Sequence, residues 1–376
     1  MVCEEYGKPL VMRDLTRRGL NKNEIRIKVH YCGINHADIL SCLGKYQEKT
    51  PVPFVPGVEV TGECVEVGKE GLIKKGDKVV CIYKGSGGFT EECICNSDDC
   101  FIVHQDIPLW VYSNMAINFI TAYIALIHKL SLPLPSLSHP LPIQSQTPLS
   151  TLSNDKSIVI TGACGGSGII ALQLSLFLHL QSYCIVSGQD QLDFLKDFSR
   201  RYIQNYTHYY SSIKEPSSPV IIDYELYPKF GERVRTFMPD GVDIIYDLIG
   251  GKDQAGRNLT KSLFPLGFIQ GIPSVQLNHI MVKNMNVLGV YLGSYKKNNP
   301  AIIQQAIDAL GFLYKNNFIC PYIDKIYNLN DANQALEDMN YVINDKFSSH
   351  TPKKNNGKII LSVGQPLYEH FWGCQF

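Results

Sequence analysis

Three glycines at a regular spacing, Gly162-x-x-Gly165-x-x-Gly168, separate the β-branched run Ile158-Val-Ile160 from the apolar stretch Ile169–Leu178. A short run of β-branched residues suits a strand buried on both faces, and the apolar stretch suits a core helix. Glycines at such a junction let the backbone bend tightly and approach a pyrophosphate. The helix that follows offers unpaired N–H groups and the positive end of its dipole to the anion. The spacing is not the common G-x-G-x-x-G, so an ordinary glycine turn is the alternative; the flanking strand and helix favour phosphate binding. Gly165, Gly166, Ser167 and Gly168 are the candidate phosphate contacts.

A second chemical question is metal. Twelve cysteines are scattered along 376 residues, and none forms a C-x-x-C pair. Cys93-x-Cys95 followed by Cys100 has neither the spacing nor the count of a structural zinc site. The scatter reads as reduced thiols in an intracellular compartment, here expected to be the cytoplasm, with the mitochondrion an alternative. Met1–Lys8 has neither an apolar signal core nor an Arg/Ser-rich presequence.

These residues need two kinds of scaffold. Residues 1–110 alternate apolar and polar side chains in short runs, as in Glu24–His30, Val58–Val67 and Lys78–Ile82, with Gly/Pro punctuation. That pattern predicts a small barrel-like β domain. Ser113–Lys129 predicts a long apolar helix leading into a second domain. From Lys156 strand and helix patterns alternate, with strands expected at Ile158–Ile160, Tyr183–Val186, Val220–Ile222, Val242–Tyr246, Gly267–Gly271 and Asn286–Leu292. Such alternation predicts a doubly wound parallel sheet. Helices are expected from Pro300 and over Asp331–Asn344, and a last strand, Gly357–Val363, is expected to return to the first domain. The proline-rich 130–154 and the Tyr/Ser/Asn-rich 200–219 are expected as surface insertions.

Lys+Arg equals Asp+Glu at 35 each, so bulk charge points to neither nucleic acid nor an acidic membrane. The longest apolar stretch, 158–180, is interrupted by the glycines, so no membrane span is expected.

With these patterns in place, the chain resembles the medium-chain dehydrogenase/reductase superfamily, in its zinc-free quinone oxidoreductase branch. Four blocks carry the resemblance: Val29–Leu40 continuing through Gly44–Glu48 and Pro53–Glu59; the Gly165–Gly168 turn; Val220–Tyr224 with Asp240–Gly251; and Val282–Gly293. It implies an α/β protein with a GroES-like β-rich catalytic domain from both chain ends (1–117 and 293–376). This domain would enclose a Rossmann domain (118–292), with NADPH in the cleft and a homodimer formed through the sixth strand. Zinc-dependent relatives carry ligands where this chain has Asn35 and Val58, so no zinc is expected and His36 and Glu59 are read as structural.

The implied reaction is hydride transfer from NADPH to a quinone or α,β-unsaturated carbonyl. By resemblance Asn35 and Tyr46 border the nicotinamide and the acceptor, Asn35 as an amide donor to a developing oxyanion and Tyr46 as a stacking or proton-donating phenol. Thr121, Ile249, Gly250, Ile272 and Gly293 match positions lining the nicotinamide channel. Tyr224 matches one near the adenosine phosphate, and Lys358 one from which a basic residue could reach a phosphate. NAD-preferring folds place an acidic residue near the end of the second strand, where this chain has Ser187 and Gln189, leaving room for a 2′-phosphate. Leu192 stands where the family usually has lysine, and Lys196, Arg200 and Arg201 are the candidates to compensate. Two further readings compete: an enoyl-thioester reductase, and a nucleotide-binding protein with little catalysis.

Overall fold

The computed structural model describes residues 1–69, 71–82, 87–132, 155–209, 214–250, 260–267, 272–339 and 355–364. The chain divides into two compact units. One is built on Met1–Ile117, Gly293–Gly311 and the described part of Pro321–Gly373; the other is built on Asn118–Leu292 with Phe312–Cys320.

The first unit opens with β1 (Glu24–Gly33), α1 (His36–Cys42), β2 (Glu59–Val67), β3 (Lys78–Ile82), β4 (Glu92–Asn96) and β5 (Cys100–Ile102). α2 (Leu109–Ala122) follows and runs into a π-helical turn at Tyr123–Lys129. β1 was expected half-buried, yet only Lys28 in it is exposed, because β1 pairs with β2, β4 and the last strand of the chain. Even Arg26 is buried there, its Nε 2.8 Å from Glu66. Thiols fill much of this core: Cys3, Cys32, Cys42, Cys64, Cys81, Cys93, Cys95 and Cys100 all pack in one cluster with Ile27, Val60 and Phe89. Buried free cysteine behaves as a small hydrophobe, which suits a tightly curved sheet interior. Ten described cysteines are free.

The second unit runs β6 (Ser157–Thr161), α3 (Gly166–Phe177), β7 (Gln181–Val186), α4 (Gln189–Tyr209), β8 (Val220–Asp223), α5 (Phe230–Arg235), β9 (Val242–Asp247), β10 (Thr260–Pro265), α6 (Leu277–Lys283) and β11 (Asn286–Val287). Its parallel sheet has the order β11-β10-β9-β6-β7-β8, with β6 and β9 adjacent where the order reverses. The chain then continues through α7 (Leu292–Asn298), α8 (Pro300–Lys315), β12 (Ile323–Asn328), α9 (Ala332–Asp338) and β13 (Lys358–Ser362). β13 pairs antiparallel with β1, so the end of the described chain closes the first sheet, in the order β12-β13-β1-β2-β3-β5 with β4 also on β1.

Three expectations change. The fifth parallel strand is Thr260–Pro265, earlier than the 267–271 expected, of which 268–271 lie outside the described residues. The sixth spans only Asn286–Val287. Residues 200–209 form the second half of α4, not an insertion. Phe198, Tyr202 and Tyr206 recur every four residues on its buried face, and Tyr202 donates to the Phe318 carbonyl at 2.6 Å. Tyrosine supplied the apolar stripe, and its polar tips hid the periodicity. The expected insertion at 133–154 lies outside the described residues. Among those described, Leu109–Lys129 is the one helical stretch long and apolar enough to cross a membrane, and 78% of its most apolar window is buried, as in a core helix.

Candidate functional site

In the second unit the candidate site is built on the β6–α3 turn. Gly162 adopts φ +62°, a conformation that favours glycine. A Cβ on Gly168 would lie 2.3 Å from the Gly162 carbonyl and 2.6 Å from Ala163 Cα, so only glycine lets α3 start this close to the strand. Gly165 caps α3 without a side-chain bond, and Ile169 N–H is the first to reach back to its carbonyl. The N–H groups of Gly166, Ser167 and Gly168 therefore have no acceptor within the helix, which is what anion binding requires. Ser167 donates its hydroxyl to Asn118 on α2 at 2.6 Å, a positioning contact that no motif announced.

At the ends of the neighbouring strands, buried carboxylates shape the loops. Asp247 accepts from Thr161 Oγ1 at 2.9 Å and from the N–H groups of Ile249 and Gly250 at 3.2 Å. The turn expected to line the nicotinamide channel is thus tied to the end of β6. Asp223 likewise accepts from Gly188 N–H at 2.7 Å and Glu225 N–H at 2.9 Å, while Tyr224 N–H bonds the Val186 carbonyl. Ser187 Oγ donates to Glu225 at 2.8 Å, and Gln189 to Asp193. Glu225, on the loop after β8, is an acidic neighbour of Ser187 that lies beyond the β7 window in which sequence reasoning looked for one. Arg200 and Arg201 both pair with Asp197, eleven and twelve residues into α4, about 17 Å along the helix from Gln189. They do not supply the missing lysine. Thr121 is half-buried on α2, and Ile272 is 76% exposed, an outward position for an expected channel residue.

In the first unit the expected catalytic Asn35 belongs to a buried charge cluster. Its Nδ2 donates to the Gly33 carbonyl at 3.1 Å and to Glu59 Oε2 at 2.9 Å, and its Oδ1 accepts from Lys358 Nζ at 2.5 Å. Lys358 Nζ is also 3.0 Å from Glu59 Oε2, and Glu59 Oε1 accepts Ile117 N–H at 2.7 Å. Both amide protons of Asn35 are spent inside the protein, so in this arrangement it holds a charge pair instead of offering an oxyanion donor. Lys358 is 5% exposed and, with its ammonium between two oxygens, is an internal counter-ion, not a phosphate ligand. Glu59 is fully buried and has both oxygens occupied, so it could ligate a metal only by releasing these partners. Gly293 falls in the first turn of α7.

Tyr46 is half-buried, and burial, then Glu48 and Asp38, push its phenol above the ordinary range. It stays protonated at neutral pH, so the phenol has a proton to donate. Asp38, fully buried, accepts from the N–H groups of Asn35, Gly57 and Val58 at 2.8–3.1 Å. Burial outweighs these donors and raises its carboxyl to about 6. Because the folded-state value lies above the unfolded one near 4, the Asp38 contribution to stability is full below about pH 4 and is lost as pH rises through about 6. Urea unfolding from pH 4 to 7 checks this: the stability difference between wild type and Asp38→Asn is expected to shrink with pH, and a flat difference contradicts it.

Residues 21–105 match the alcohol dehydrogenase GroES-like domain. The quinone oxidoreductase-like protein 2 homolog of Nematostella vectensis is 28% identical over 97% of this chain and 89% of its own length. A mycobacterial protein solved in complex with NADPH shares the fold with TM-score 0.74 and 20% identity, over 96% of this chain and 98% of that one. The quinone oxidoreductase of Thermus thermophilus, also solved with NADPH, superposes with TM-score 0.67 and 18% identity, over 96% and 98%. The GroES-like match, the end-to-end likeness to quinone oxidoreductase-like relatives and the Glu59 carboxylate already taken by Lys358 and Asn35 converge. The chain is similar over nearly its whole length to the zinc-free, quinone-oxidoreductase-like branch of the medium-chain dehydrogenase/reductase superfamily.

Proposed function

We propose that this protein binds NADPH and passes hydride to a quinone or an α,β-unsaturated carbonyl without a metal. The observation that carries the reading is the Gly162–Gly168 turn, where α3 begins against the end of β6 with its first N–H groups uncommitted. That turn fits a pyrophosphate, and the relatives solved with NADPH support the choice of nucleotide. When bound, NADPH supplies the hydride. The chain's own residues do the rest. The α3 N-terminus holds the pyrophosphate, and the Asp247-braced turn at Ile249–Gly250 gives a rigid backbone edge for the nicotinamide end. Ser187 and Tyr224 belong to the adenosine end, and Tyr46 offers a phenolic donor to the acceptor oxygen. Asn35, Glu59 and Lys358 act on the framework that carries Tyr46.

The test is steady-state NADPH oxidation with quinones, enones and enoyl thioesters, alongside thermal protection by NADPH. Turnover with the first two supports the proposal. Turnover confined to enoyl thioesters supports the enoyl reductase reading, and protection without any turnover supports nucleotide binding alone.

We also propose a homodimer. The edge strand β11 is exposed, and Leu277, Met281 and Val282 on the adjoining α6 are 72–79% exposed, with Val287 at 41%. An exposed apolar sheet edge is a template for a second copy. Val287→Lys with Met281→Glu is expected to lower the mass in solution from twice 42.2 kDa to 42.2 kDa in light scattering. An unchanged mass contradicts this interface.

A further inference from the structure

The cysteines of the first unit are not evenly spread through its core. Cys81 on β3, Cys95 on β4 and Cys100 on β5 bring their sulfurs within 4.8 Å of one another. Cys81 and Cys100 stand directly opposite each other in the β3–β5 ladder. Cys95 and Cys100 flank the turn Asn96–Asp99, which folds their sulfurs to 3.1 Å apart. Three strands thus aim one thiol each at a common point. No motif predicted this, because the ligands come from separate strands and not from a C-x-x-C loop.

Three sulfurs about 2.3 Å from one ion stand roughly 4 Å apart. The group brackets that separation, from 3.1 Å to at most 4.8 Å. Its donors are all soft, and among the described residues no imidazole or carboxylate joins them. Hard cations such as magnesium and calcium want oxygen, and zinc wants a fourth ligand to complete a tetrahedron. A monovalent d10 ion is satisfied by three thiolates. Cys81, Cys95 and Cys100 are 0%, 4% and 7% exposed, so the site is dry and closed to competing ligands. The least buried of the three, Cys100, follows the turn carrying Asp98 and Asp99, where Asp99 pairs with Lys296 at 2.5 Å.

We propose that Cys81, Cys95 and Cys100 form a trigonal thiolate site for Cu(I) in the β-rich unit, separate from the nucleotide turn. Binding breaks three S–H bonds and forms three S–Cu bonds. The three protons go to solvent and no electrons are transferred, so copper must be supplied already reduced. Affinity therefore rises with pH.

The test titrates the full chain anaerobically with Cu(I), in competition with a chromophoric Cu(I) chelator. One equivalent is expected to resist the chelator in wild type and in a Cys184→Ser control. Cys95→Ser/Cys100→Ser is expected to lose at least about 100-fold in affinity, since removing primary ligands costs no less than removing their outer partners. Copper-edge X-ray absorption on the loaded wild type needs no variant, and three sulfur neighbours at about 2.3 Å are expected. Nitrogen or oxygen neighbours, a Cu(I) affinity indifferent to Cys95 and Cys100, or displacement by equimolar Zn(II) would each overturn the proposal.

Discussion

Lys358→Ala is expected to destabilise the protein by about 3–5 kcal/mol, because it strands a buried carboxylate. Glu59 is fully buried, with Lys358 Nζ at 3.0 Å as its counter-ion and Asn35 Nδ2 and Ile117 N–H as its other donors. Removing the ammonium leaves two neutral donors to hold a charge away from water. The same logic gives the rescue. Glu59→Gln/Lys358→Met removes both charges, keeps an acceptor for Ile117 N–H, and fills the lysine's volume. A buried pair replaced by isosteric neutral groups is often neutral or stabilising, so the double variant is expected within about 1 kcal/mol of wild type. Urea unfolding of the two variants decides it. Equal losses in both would mean that packing, not charge, explains the effect.

That cluster shows where the sequence was legible and where it was not. The alternation around Val58–Val67 and the position of Lys358 before a last strand located the two partners, and β13 does return to β1. Their meeting depended on a strand pairing between residues about 300 apart, which local pattern does not encode. The glycine turn was legible because strand, turn and helix are contiguous. Its neighbour Asn118 was not, since it reaches Ser167 from a separate helix. α4 was half-read: Gln189–Ser199 has ordinary helix composition, whereas Tyr202 and Tyr206 look like loop residues until the Tyr202 hydroxyl is seen on the Phe318 carbonyl and the Tyr206 ring against the Phe318 ring. The cysteine group was half-read: Cys95 and Cys100 stand close in the sequence, whereas Cys81 joins them only through the β3–β5 pairing.

Cofactor discrimination is where sequence and structure combine into the second large effect. Leu192 stands where a lysine usually meets the 2′-phosphate, and Glu225 accepts from Ser187 at 2.8 Å on the facing β8 loop. The loop thus lacks one cation and carries one anion, so weak preference for NADPH over NADH is expected from the native chain. A charge-assisted contact contributes about 1.5–3 kcal/mol. Leu192→Lys is therefore expected to tighten NADPH binding about 10- to 100-fold, and Glu225→Gln to tighten it about tenfold by removing repulsion. Neither change meets a 2′-phosphate in NADH. Its affinity is expected to stay level in Leu192→Lys and to fall modestly in Glu225→Gln, which loses an acceptor for the ribose hydroxyls. Titrating both nucleotides by quenching of their fluorescence, or by calorimetry, gives the ratio directly. The ratio should also fall with salt in Leu192→Lys more steeply than in wild type, because the new contact is ionic and partly exposed. If neither substitution moves the NADPH/NADH ratio, the adenosine end does not sit between Ser187 and Glu225, and the nucleotide must be anchored by the α3 turn alone.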